Sequence, residues 1–395
     1  MKNKIISAVF LLLLAVSAAL FLLPADEASF KSENRSRSQL PQLTKSSFFS
    51  GAFARNSESY INDKITFRSE LIAAGQFIEN HKGITPPEGK IVYTDKDIGT
   101  ETVKKAAMLI ADGKIMEIFT KNPVSEKKYA DTINRIAESI GSKAKVYAML
   151  IPTQLEFCDR LYSSLQTNQK KTIDEIYGML SPDVTCADAY SALAAHSDEY
   201  IYYRSDHHWT MLGSYYGYSA FMKAKGESPV STDNFKKHSE GEFLGYLYSK
   251  HPDSSVAENP DLLEWYDTAE PAELELEMRS IDKNGKVKKY TSPMFDTTKK
   301  DYSLFFSSDQ PYIKITNKKI PRGKTLIIVR DSFASDFAPW CVNNYGRIIL
   351  LDPRTYRGTL SDVLDEEKAD EVLVMNYIFT TSFEDYCDKM AELIR

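Results

Sequence analysis

Short apolar runs alternate with amphipathic stretches from about residue 90 to the end of the chain. Runs rich in β-branched residues predict strands, and apolar positions three or four apart predict helices. The predicted strands are Lys114–Phe119, Lys145–Ile151, Tyr200–Tyr203, Thr325–Val329, Ile348–Leu351 and Val372–Met375. The predicted helices are Glu126–Ile140, Thr172–Leu180 and Thr359–Lys368. This alternation is typical of an α/β fold, so we expect a mostly parallel sheet flanked by helices, with the last three strands as neighbours.

The pattern changes between about residues 251 and 320. Leu274, Leu276 and Met278 alternate with polar residues, and Asn284-Gly285 separates them from a second short alternating run. An Asn-Gly pair between two such runs is a strong hairpin signal. We therefore predict a β-rich insertion in the α/β domain, with an antiparallel hairpin over about 270–290 that lies outside the centre of the main sheet.

The first 25 residues have the pattern of an export signal. Lys2 and Lys4 precede residues 5–23, a run of 19 residues without a charge. As a helix this run is about 28 Å long, close to the thickness of the hydrocarbon core of a bilayer. It is longer than the apolar part of most cleavable signal peptides, so it favours a retained anchor, with cleavage as the alternative. The rest of the chain is expected outside the cytoplasm, anchored in the cell membrane or secreted.

The chain is thus predicted to have three parts. Residues 1–25 are the signal anchor or signal peptide, and residues 26–90 are a polar tether followed by a helical segment next to the membrane. Residues 91–395 form the α/β domain with its β-rich insertion. The net charge of −6 does not favour a nucleic acid as partner.

The chain has four cysteines, at positions 158, 186, 341 and 387. They form no CxxC motif and have no zinc-type spacing with histidine, so a structural metal site is not expected. Outside the cytoplasm an even number of cysteines permits disulfides, and Cys158 and Cys186 are close enough in sequence to pair. Buried free thiols are the alternative.

Two segments carry the residue types of nucleophilic catalysis. Asp206-His207-His208-Trp209 follows the predicted strand at 200–203, and Ser332 follows the predicted strand at 325–329. A nucleophilic serine needs a general base, and that base needs an acceptor on its other ring nitrogen. Asp206 and His208 can supply both from one loop. We predict that Asp206, His208 and Ser332 are catalytic and that His208 lies within hydrogen-bond reach of Ser332.

The second histidine of the pair has no role in this scheme. His207 is expected to point away from Ser332. Adjacent histidines also suggest a metal site, but no further His or Cys spacing supports one, so we predict none.

Four further residues are candidates for substrate binding or for an oxyanion hole, namely Trp209, Arg330, Arg354 and Asn376. Arg354 could bind an anionic sugar group or an acyl oxygen, and is otherwise a structural salt-bridge partner. Asn376 could donate to an oxyanion alongside the Ser332 amide, and is otherwise a polar residue at a strand end. We expect the candidate residues just past the carboxyl ends of strands, where sites form in open α/β sheets. Asp331 is expected to shape the loop by hydrogen bonding.

The Asp206-His207-His208-Trp209 segment resembles the signature of the DHHW protein family. That family is similar to the alginate O-acetyltransferases AlgJ and AlgX, which have SGNH-hydrolase-like domains. The resemblance continues through Thr210 and Gly213, and towards the N-terminus it includes Glu33-Asn34-Arg35 and Phe67-Arg68. It implies that Asp206 and His208 correspond to the family's Asp-His pair and Ser332 to its nucleophile. Arg330 stands where the hydrolase motif has glycine, which changes the backbone freedom next to the expected oxyanion hole.

The resemblance implies an extracytoplasmic O-acyltransferase, most simply an acetyltransferase, that modifies an exported or cell-envelope polysaccharide. It implies no cofactor, and a membrane-bound O-acyltransferase as the partner that supplies acyl groups. A carbohydrate esterase with the same three residues is the first alternative. A non-catalytic polysaccharide-binding or assembly protein with a degenerate site is the second.

Overall fold

The computed structural model of this chain describes residues 40–49, 52–62, 89–96, 104–268, 273–281 and 287–394. The chain divides into two compact units, Met1–Pro86 with Tyr248–Ser254 and Pro87–Leu247 with Ser255–Arg395. In the first unit the described residues form helices α1 (Lys45–Phe49) and α2 (Ala52–Asn62).

The N-terminal predictions fall largely outside this description. Within the described ranges no helix is long and apolar enough to cross a membrane. The predicted anchor at residues 5–23, the first part of the tether, Glu33-Asn34-Arg35 and Phe67-Arg68 lie outside the described ranges. The anchor and its alternative therefore stay predictions.

The second unit contains the sheets and most of the helices. The strands are β1 (Lys90–Lys96), β2 (Lys104–Ala111), β3 (Lys114–Glu117), β4 (Lys145–Ile151), β5 (Val184–Ala187), β6 (Phe235–Phe243), β7 (Asp261–Thr268), β8 (Leu274–Ile281), β9 (Val287–Tyr290), β10 (Tyr312–Asn317), β11 (Thr325–Arg330), β12 (Arg347–Leu351) and β13 (Glu371–Tyr377). The helices after α2 are α3 (Pro123–Ile140), α4 (Arg160–Ser163), α5 (Gln169–Tyr177), α6 (Ala189–Ala194), α7 (Met211–Ala224), α8 (Tyr246–Lys250), α9 (Ser254–Ala257), α10 (Ala334–Cys341), α11 (Leu360–Glu367) and α12 (Glu384–Glu392).

The main sheet has eight strands in the order β5-β4-β13-β11-β12-β10-β8-β9. The pairs from β5 through to β12 are parallel, and the pairs from β12 through to β9 are antiparallel. Strands β11 and β13 are buried at every residue, as expected where both faces of a sheet are covered. The fold is therefore mixed α/β, with a parallel part that carries the predicted site and an antiparallel extension.

The prediction of three neighbouring parallel strands is confirmed. The runs at 325–329, 348–351 and 372–375 are β11, β12 and β13, and β11 lies between the other two. Because the strands are parallel, the segments that follow β11, β13 and β4 all emerge at one edge of the sheet.

Helix α3 shows how local sequence sets an element's ends. The Asn122 side chain accepts a hydrogen bond from the Ser125 amide, and Pro123 occupies the first turn, where its missing N–H costs nothing. The helix therefore begins three residues before the predicted start at Glu126. Gly141 follows its last residue with a φ of 55°. The predicted apolar stripe is buried in the main core, at Tyr129, Ile133, Ile136 and Ile140.

Two predicted strands lie elsewhere than in the parallel sheet. The run at 114–119 contains β3, which pairs in a separate antiparallel sheet of order β1-β2-β3. The run at 200–203 is not a strand and forms only an isolated bridge between Tyr202 and Trp209. The reason is that its backbone bonds go to its own loop: the Tyr203 amide donates to the His208 carbonyl, and the Thr210 amide donates to the Ile201 carbonyl.

The β-rich region contains the predicted hairpin. Strands β8 and β9 pair antiparallel at the edge of the main sheet, away from its centre, and the Asn284-Gly285 turn lies outside the described ranges. The region is not a separate insertion, because its strands β8, β9 and β10 continue the main sheet. Strand β7 instead pairs with β6, which precedes the predicted boundary at residue 251.

Of the two alternatives for the cysteines, the possible Cys158–Cys186 disulfide is not formed, and all four cysteines are free. Cys158 lies after β4 with its sulfur 3.3 Å from that of Met116, while Cys186 lies on β5. Burial raises the pKa of the Cys186 thiol to about 11. The alternative of free thiols is the one that the structure adopts.

Candidate active site

A chain of two hydrogen bonds links the three predicted catalytic side chains. The His208 Nδ1 atom lies 2.7 Å from Asp206 Oδ1, and the His208 Nε2 atom lies 2.7 Å from Ser332 Oγ. Asp206 and His208 are buried, whereas Ser332 is partly exposed. The structure therefore brings together the serine, base and acceptor geometry that nucleophilic catalysis requires.

One buried carboxylate, that of Asp261, holds the loop Arg204–Trp209, which we call the Asp-His loop. Asp261 accepts hydrogen bonds from the backbone amides of Arg204 and Ser205, at 2.6 and 2.8 Å. It also accepts from the hydroxyls of Ser205 and Tyr200. Four donors thus converge on Asp261 at the start of β7, and they fix the loop before its reactive residues begin.

Asp206 is oriented from a second direction by the residues after β6. The Tyr246 amide donates to Asp206 Oδ2 at 2.7 Å, and the His208 amide donates to Oδ1 at 3.0 Å. A Cβ on Gly245 would lie 2.5 Å from the Asp206 Cβ, so only glycine allows this approach. Burial opposes ionisation of Asp206, but the two neighbouring histidines and these hydrogen bonds lower its pKa below the usual range. Asp206 is therefore a carboxylate that can orient His208 and stabilise its charged form.

Ser332 is presented by a tight turn between β11 and α10. Asp331 accepts from the Phe333 amide at 3.1 Å and from the Tyr377 amide at 2.7 Å, which ties the turn to the end of β13. Burial raises the pKa of the Asp331 carboxyl. The loop-shaping role expected of Asp331 is the one that it has.

Tyr302 forms one wall of the site. Its ring stacks on the His208 imidazole with a centroid distance of 3.6 Å and an interplanar angle of 4°. Its hydroxyl donates to the Ser332 carbonyl at 3.0 Å. Tyr302 therefore contacts the base and the backbone of the nucleophile together. No sequence motif marked it, since it lies in a short turn at 302–304 within the β-rich region.

His207 does not point away from the site, contrary to the prediction. Its ring lies 4.0 Å from that of His208 and contacts the rings of Tyr246, Phe333 and Tyr377. One metal-ligating atom from each of Asp206, His207 and His208 lies within 4.8 Å of the other two, a spacing that a divalent cation could bridge. Two of these groups already hydrogen-bond to each other within the Asp206–His208–Ser332 chain.

Trp209 packs in the core rather than lining a binding surface. It is fully buried, and its indole N–H donates to Asp336 at 2.7 Å and to the Phe333 carbonyl at 3.2 Å. Its ring lies against helix α7, where a Cβ on Gly217 would approach the indole to 2.7 Å. The candidate role in substrate binding is therefore wrong for Trp209, because no face of the ring reaches solvent.

Arg330 and Arg354 are both engaged with acidic partners. Arg330 is fully buried at the end of β11, and its guanidinium lies 2.5 Å from Asp309. Arg354 contacts the same carboxyl at 2.8 Å and Asp352 at 2.6 Å. Burial opposes ionisation of Asp309, but the two arginines lower its pKa. This cluster corresponds to the structural salt-bridge alternative and not to an anion-binding site.

Asn376 lies inside β13 rather than past its end, and both ends of its amide are occupied. Its oxygen accepts from the Tyr129 hydroxyl at 2.8 Å, and its nitrogen donates to the Tyr386 hydroxyl at 2.5 Å. The side chain is fully buried. It therefore supports the sheet edge and does not offer a donor to an oxyanion. Within the described ranges the Ser332 amide makes no hydrogen bond, so it is the donor that remains for that purpose.

Comparisons with known proteins concern the family and the fold of the chain. A profile of the DHHW protein family matches residues 88–351, more than half of the chain. No curated protein matches the sequence. A DHHW family protein from Eubacterium siraeum is similar in structure, with a TM-score of 0.63 and 23% identity over 72% of this chain and 94% of that one.

Two structures of PatB1 from Bacillus cereus are also similar. One, described with a sulfonyl adduct, has a TM-score of 0.59 at 17% identity and covers 71% of this chain and 97% of that one. The other has a TM-score of 0.58 at 18% identity and covers 71% of this chain and 99% of that one. These likenesses concern the fold, and the match at residues 88–351 establishes the family. The chain belongs to the DHHW protein family.

Proposed function

We propose that this chain is an extracytoplasmic O-acyltransferase, most simply an acetyltransferase, that modifies an exported or cell-envelope polysaccharide. The observation that carries the proposal is the hydrogen-bonded chain from Asp206 through His208 to Ser332, with 2.7 Å at each step. It ends on the partly exposed hydroxyl of Ser332. The resemblance to alginate O-acetyltransferases supplies the class of reaction.

The first half-reaction forms an acyl ester on Ser332. His208 Nε2 takes the hydroxyl proton as Ser332 Oγ attacks the acyl carbonyl, and the leaving oxygen then takes that proton as its bond to the acyl carbon breaks. Asp206 holds the imidazole through Nδ1 and stabilises its transient positive charge. The Ser332 amide is the first candidate for the oxyanion donor, because the turn leaves it without a partner in the described structure.

The second half-reaction transfers the acyl group to a sugar hydroxyl. His208 removes the hydroxyl proton, the sugar oxygen attacks the ester carbonyl, and Ser332 leaves as its alcohol with the proton returned by His208. No cofactor enters either step. A membrane-bound O-acyltransferase is the proposed donor partner, since the chain is expected on the outer side of the membrane and held there through residues 5–23.

The alternative functions differ in what happens to the acyl-Ser332 ester. A carbohydrate esterase would use water as acceptor in the second half-reaction. A polysaccharide-binding or assembly protein would form no ester at all. The intact hydrogen-bond geometry favours the two enzymatic functions over the third.

The proposal is tested by trapping the ester. The purified full-length chain is incubated with p-nitrophenyl acetate, quenched with acid and digested, and the peptide containing Ser332 is examined by mass spectrometry. We expect an acetyl adduct on Ser332 and none in Ser332→Ala. Because a PatB1 structure is described with a sulfonyl adduct, phenylmethylsulfonyl fluoride is a second probe, expected to modify the same serine.

Transfer is separated from hydrolysis by adding an acceptor. Acetylated oligosaccharide in the products, formed faster than free acetate increases, supports the transferase. Release of acetate alone with every oligosaccharide offered supports the esterase. Absence of any adduct on Ser332 contradicts both enzymatic functions.

A further inference from the structure

A cavity of about 260 Å³ lies at the same edge of the sheet as Ser332. Its walls are Gln154, Phe157 and Cys158, which follow β4, then residues 197–202 and Arg204 at the start of the Asp-His loop, and Lys114 on β3. In the sheet, β4 is two strands from β11. At about 4.8 Å per strand, the carboxyl ends of β4 and β11 are about 10 Å apart. The cavity is thus a neighbour of the nucleophile at the edge where ligands bind in open α/β sheets.

The cavity wall combines aromatic faces with hydrogen-bonding groups. Phe157, Tyr200 and Tyr202 contribute rings, and the Arg204 guanidinium lies 4.5 Å from the centre of the Tyr200 ring. The Gln154 Oε1 atom is buried and has no hydrogen-bond partner among the described residues. A buried amide oxygen without a partner is uncommon in native proteins and indicates a group that a ligand or water satisfies.

The size and chemistry of the cavity fit one sugar ring. Its volume is slightly below that of pockets for drug-sized ligands, so it holds a single ring rather than an extended molecule. Aromatic faces pack against the C–H face of a pyranose, while its hydroxyls need both donors and acceptors. Gln154, Asp198 and Glu199 in the lining carry acceptors, and Lys114 and Arg204 carry donors.

The cavity wall is continuous with the Asp-His loop. The Tyr202 hydroxyl donates to the Pro152 carbonyl at 2.6 Å, and Tyr202 bridges to Trp209. The Ile115 amide donates to the Arg204 carbonyl at 2.8 Å. A ligand held in the cavity is therefore fixed in position relative to His208.

We propose that this cavity is a remote saccharide subsite, which binds one ring of the acceptor polysaccharide while another ring of the same chain reaches acyl-Ser332. This rests on the proposed acyl transfer and adds the place where the acceptor is held. It also separates transfer from hydrolysis in physical terms, because an acceptor bound beside the ester competes with water at a high effective concentration.

The test measures binding without turnover. Chitotetraose and cellotetraose are titrated calorimetrically into the full-length Ser332→Ala protein, and then into the same protein carrying Gln154→Leu or Phe157→Ala. We expect at least one tetramer to bind, and each cavity substitution to raise its Kd about fivefold or more. Tyr290→Ala, which removes a ring from β9 at the opposite edge of the main sheet, is the matched control and should leave Kd unchanged.

A kinetic measurement keeps the two proposals separate. In the protein that keeps Ser332, Gln154→Leu should raise the KM for the acceptor oligosaccharide. It should leave the acetylation of Ser332 by p-nitrophenyl acetate unchanged. Binding of neither tetramer, or binding that Gln154→Leu and Phe157→Ala leave unchanged in folded protein, overturns the subsite. Failure of Ser332 to acetylate contradicts the proposed function instead, and is measured without any sugar present.

Discussion

Two groups of polar side chains surround the end of β11, and they differ in where their hydrogen bonds end. Arg330, Arg354, Asp309 and Asp352 pair with one another and leave no charge without a partner inside the group. The second group runs in one direction, from Asp206 through His208 to the hydroxyl of Ser332. The first group is a closed ionic cluster, and the second ends on an atom that a substrate can reach. A cluster of charges at a strand end is therefore weaker evidence for an active site than a chain of hydrogen bonds that ends on an accessible hydroxyl.

The sharpest test of this difference is removal of the open chain. Ser332→Ala and His208→Ala should each lower kcat for p-nitrophenyl acetate by roughly 10⁴-fold or more, because nucleophile and base are lost. The double variant should be scarcely worse than either single one, since the members act as a unit. Asp206→Asn should be milder. Full activity in Ser332→Ala would falsify covalent catalysis.

The closed cluster should affect stability instead. Arg330→Met leaves Asp309 without its buried partner, and we expect a loss of about 2–3 kcal/mol in the free energy of unfolding. Arg354→Met, at a side chain that is 42% exposed, should cost about 1 kcal/mol or less. Urea denaturation measures both. A selective rise in the KM for the ester at unchanged stability would instead place the arginines in substrate binding.

Tyr302 tests the aromatic wall of the open chain. Tyr302→Leu removes the ring stacked on His208. That ring stabilises the imidazolium formed in the transition state, so kcat should fall about tenfold. Tyr302→Phe keeps the ring and loses the hydrogen bonds of its hydroxyl with Ser332 and Asp336, so its kcat should fall less. Steady-state kinetics on p-nitrophenyl acetate measures both variants. Equal values of kcat for the two would contradict the stacking role.

The lowered pKa of Asp206 gives a pH dependence of stability. Its folded-state pKa lies below the unfolded value of about 3.9, so its contribution to stability is fully present above that value. The contribution is lost as the pH falls through the lower folded-state value. The difference in unfolding free energy between wild type and Asp206→Asn should thus be constant above about pH 5 and shrink below about pH 4. A difference that grows in acid would mean the opposite shift.

The smallest expected effect is at His207. His207→Ala removes a ring that lies beside His208 and 3.4 Å from Asp206 but has no step in the proposed reaction, so kcat should change by less than about threefold. Steady-state kinetics on the same ester provides the measurement. Loss of activity in this variant, with His208→Ala active, would mean that the base is the other histidine.

Sequence patterns predicted the parts of the site that depend on local rules. The Asp-x-His spacing and a serine after a buried strand were enough to place Asp206, His208 and Ser332 together. Strand ends were less predictable, because they depend on long-range bonds. Strand β13 runs to Tyr377, two residues beyond the predicted end, since Asn376 and Tyr377 still pair with the end of β4. That extension places Asn376 inside the sheet.

Other features were beyond local rules altogether. Gly245 and Tyr246 approach Asp206 from 39 and 40 residues away in sequence, and Tyr302 stacks on a histidine 94 residues before it. The stacking requires that the segment after β9 return over the sheet edge, which no periodicity indicates. The pairing of β7 with β6 likewise depends on contacts outside the predicted insertion.

The packing of Trp209 against Gly217 affects which sequence pattern can separate active relatives of this chain from inactive ones. The aspartate and second histidine of the motif belong to the proposed chemistry, but its tryptophan fills a space on helix α7 that a glycine keeps open. A search pattern built on the tryptophan and on a glycine eight positions later would therefore collect proteins of this architecture whether or not they are enzymes. Only a serine at the turn after β11 would sort the active members from scaffolds that have kept the shape and lost the reaction.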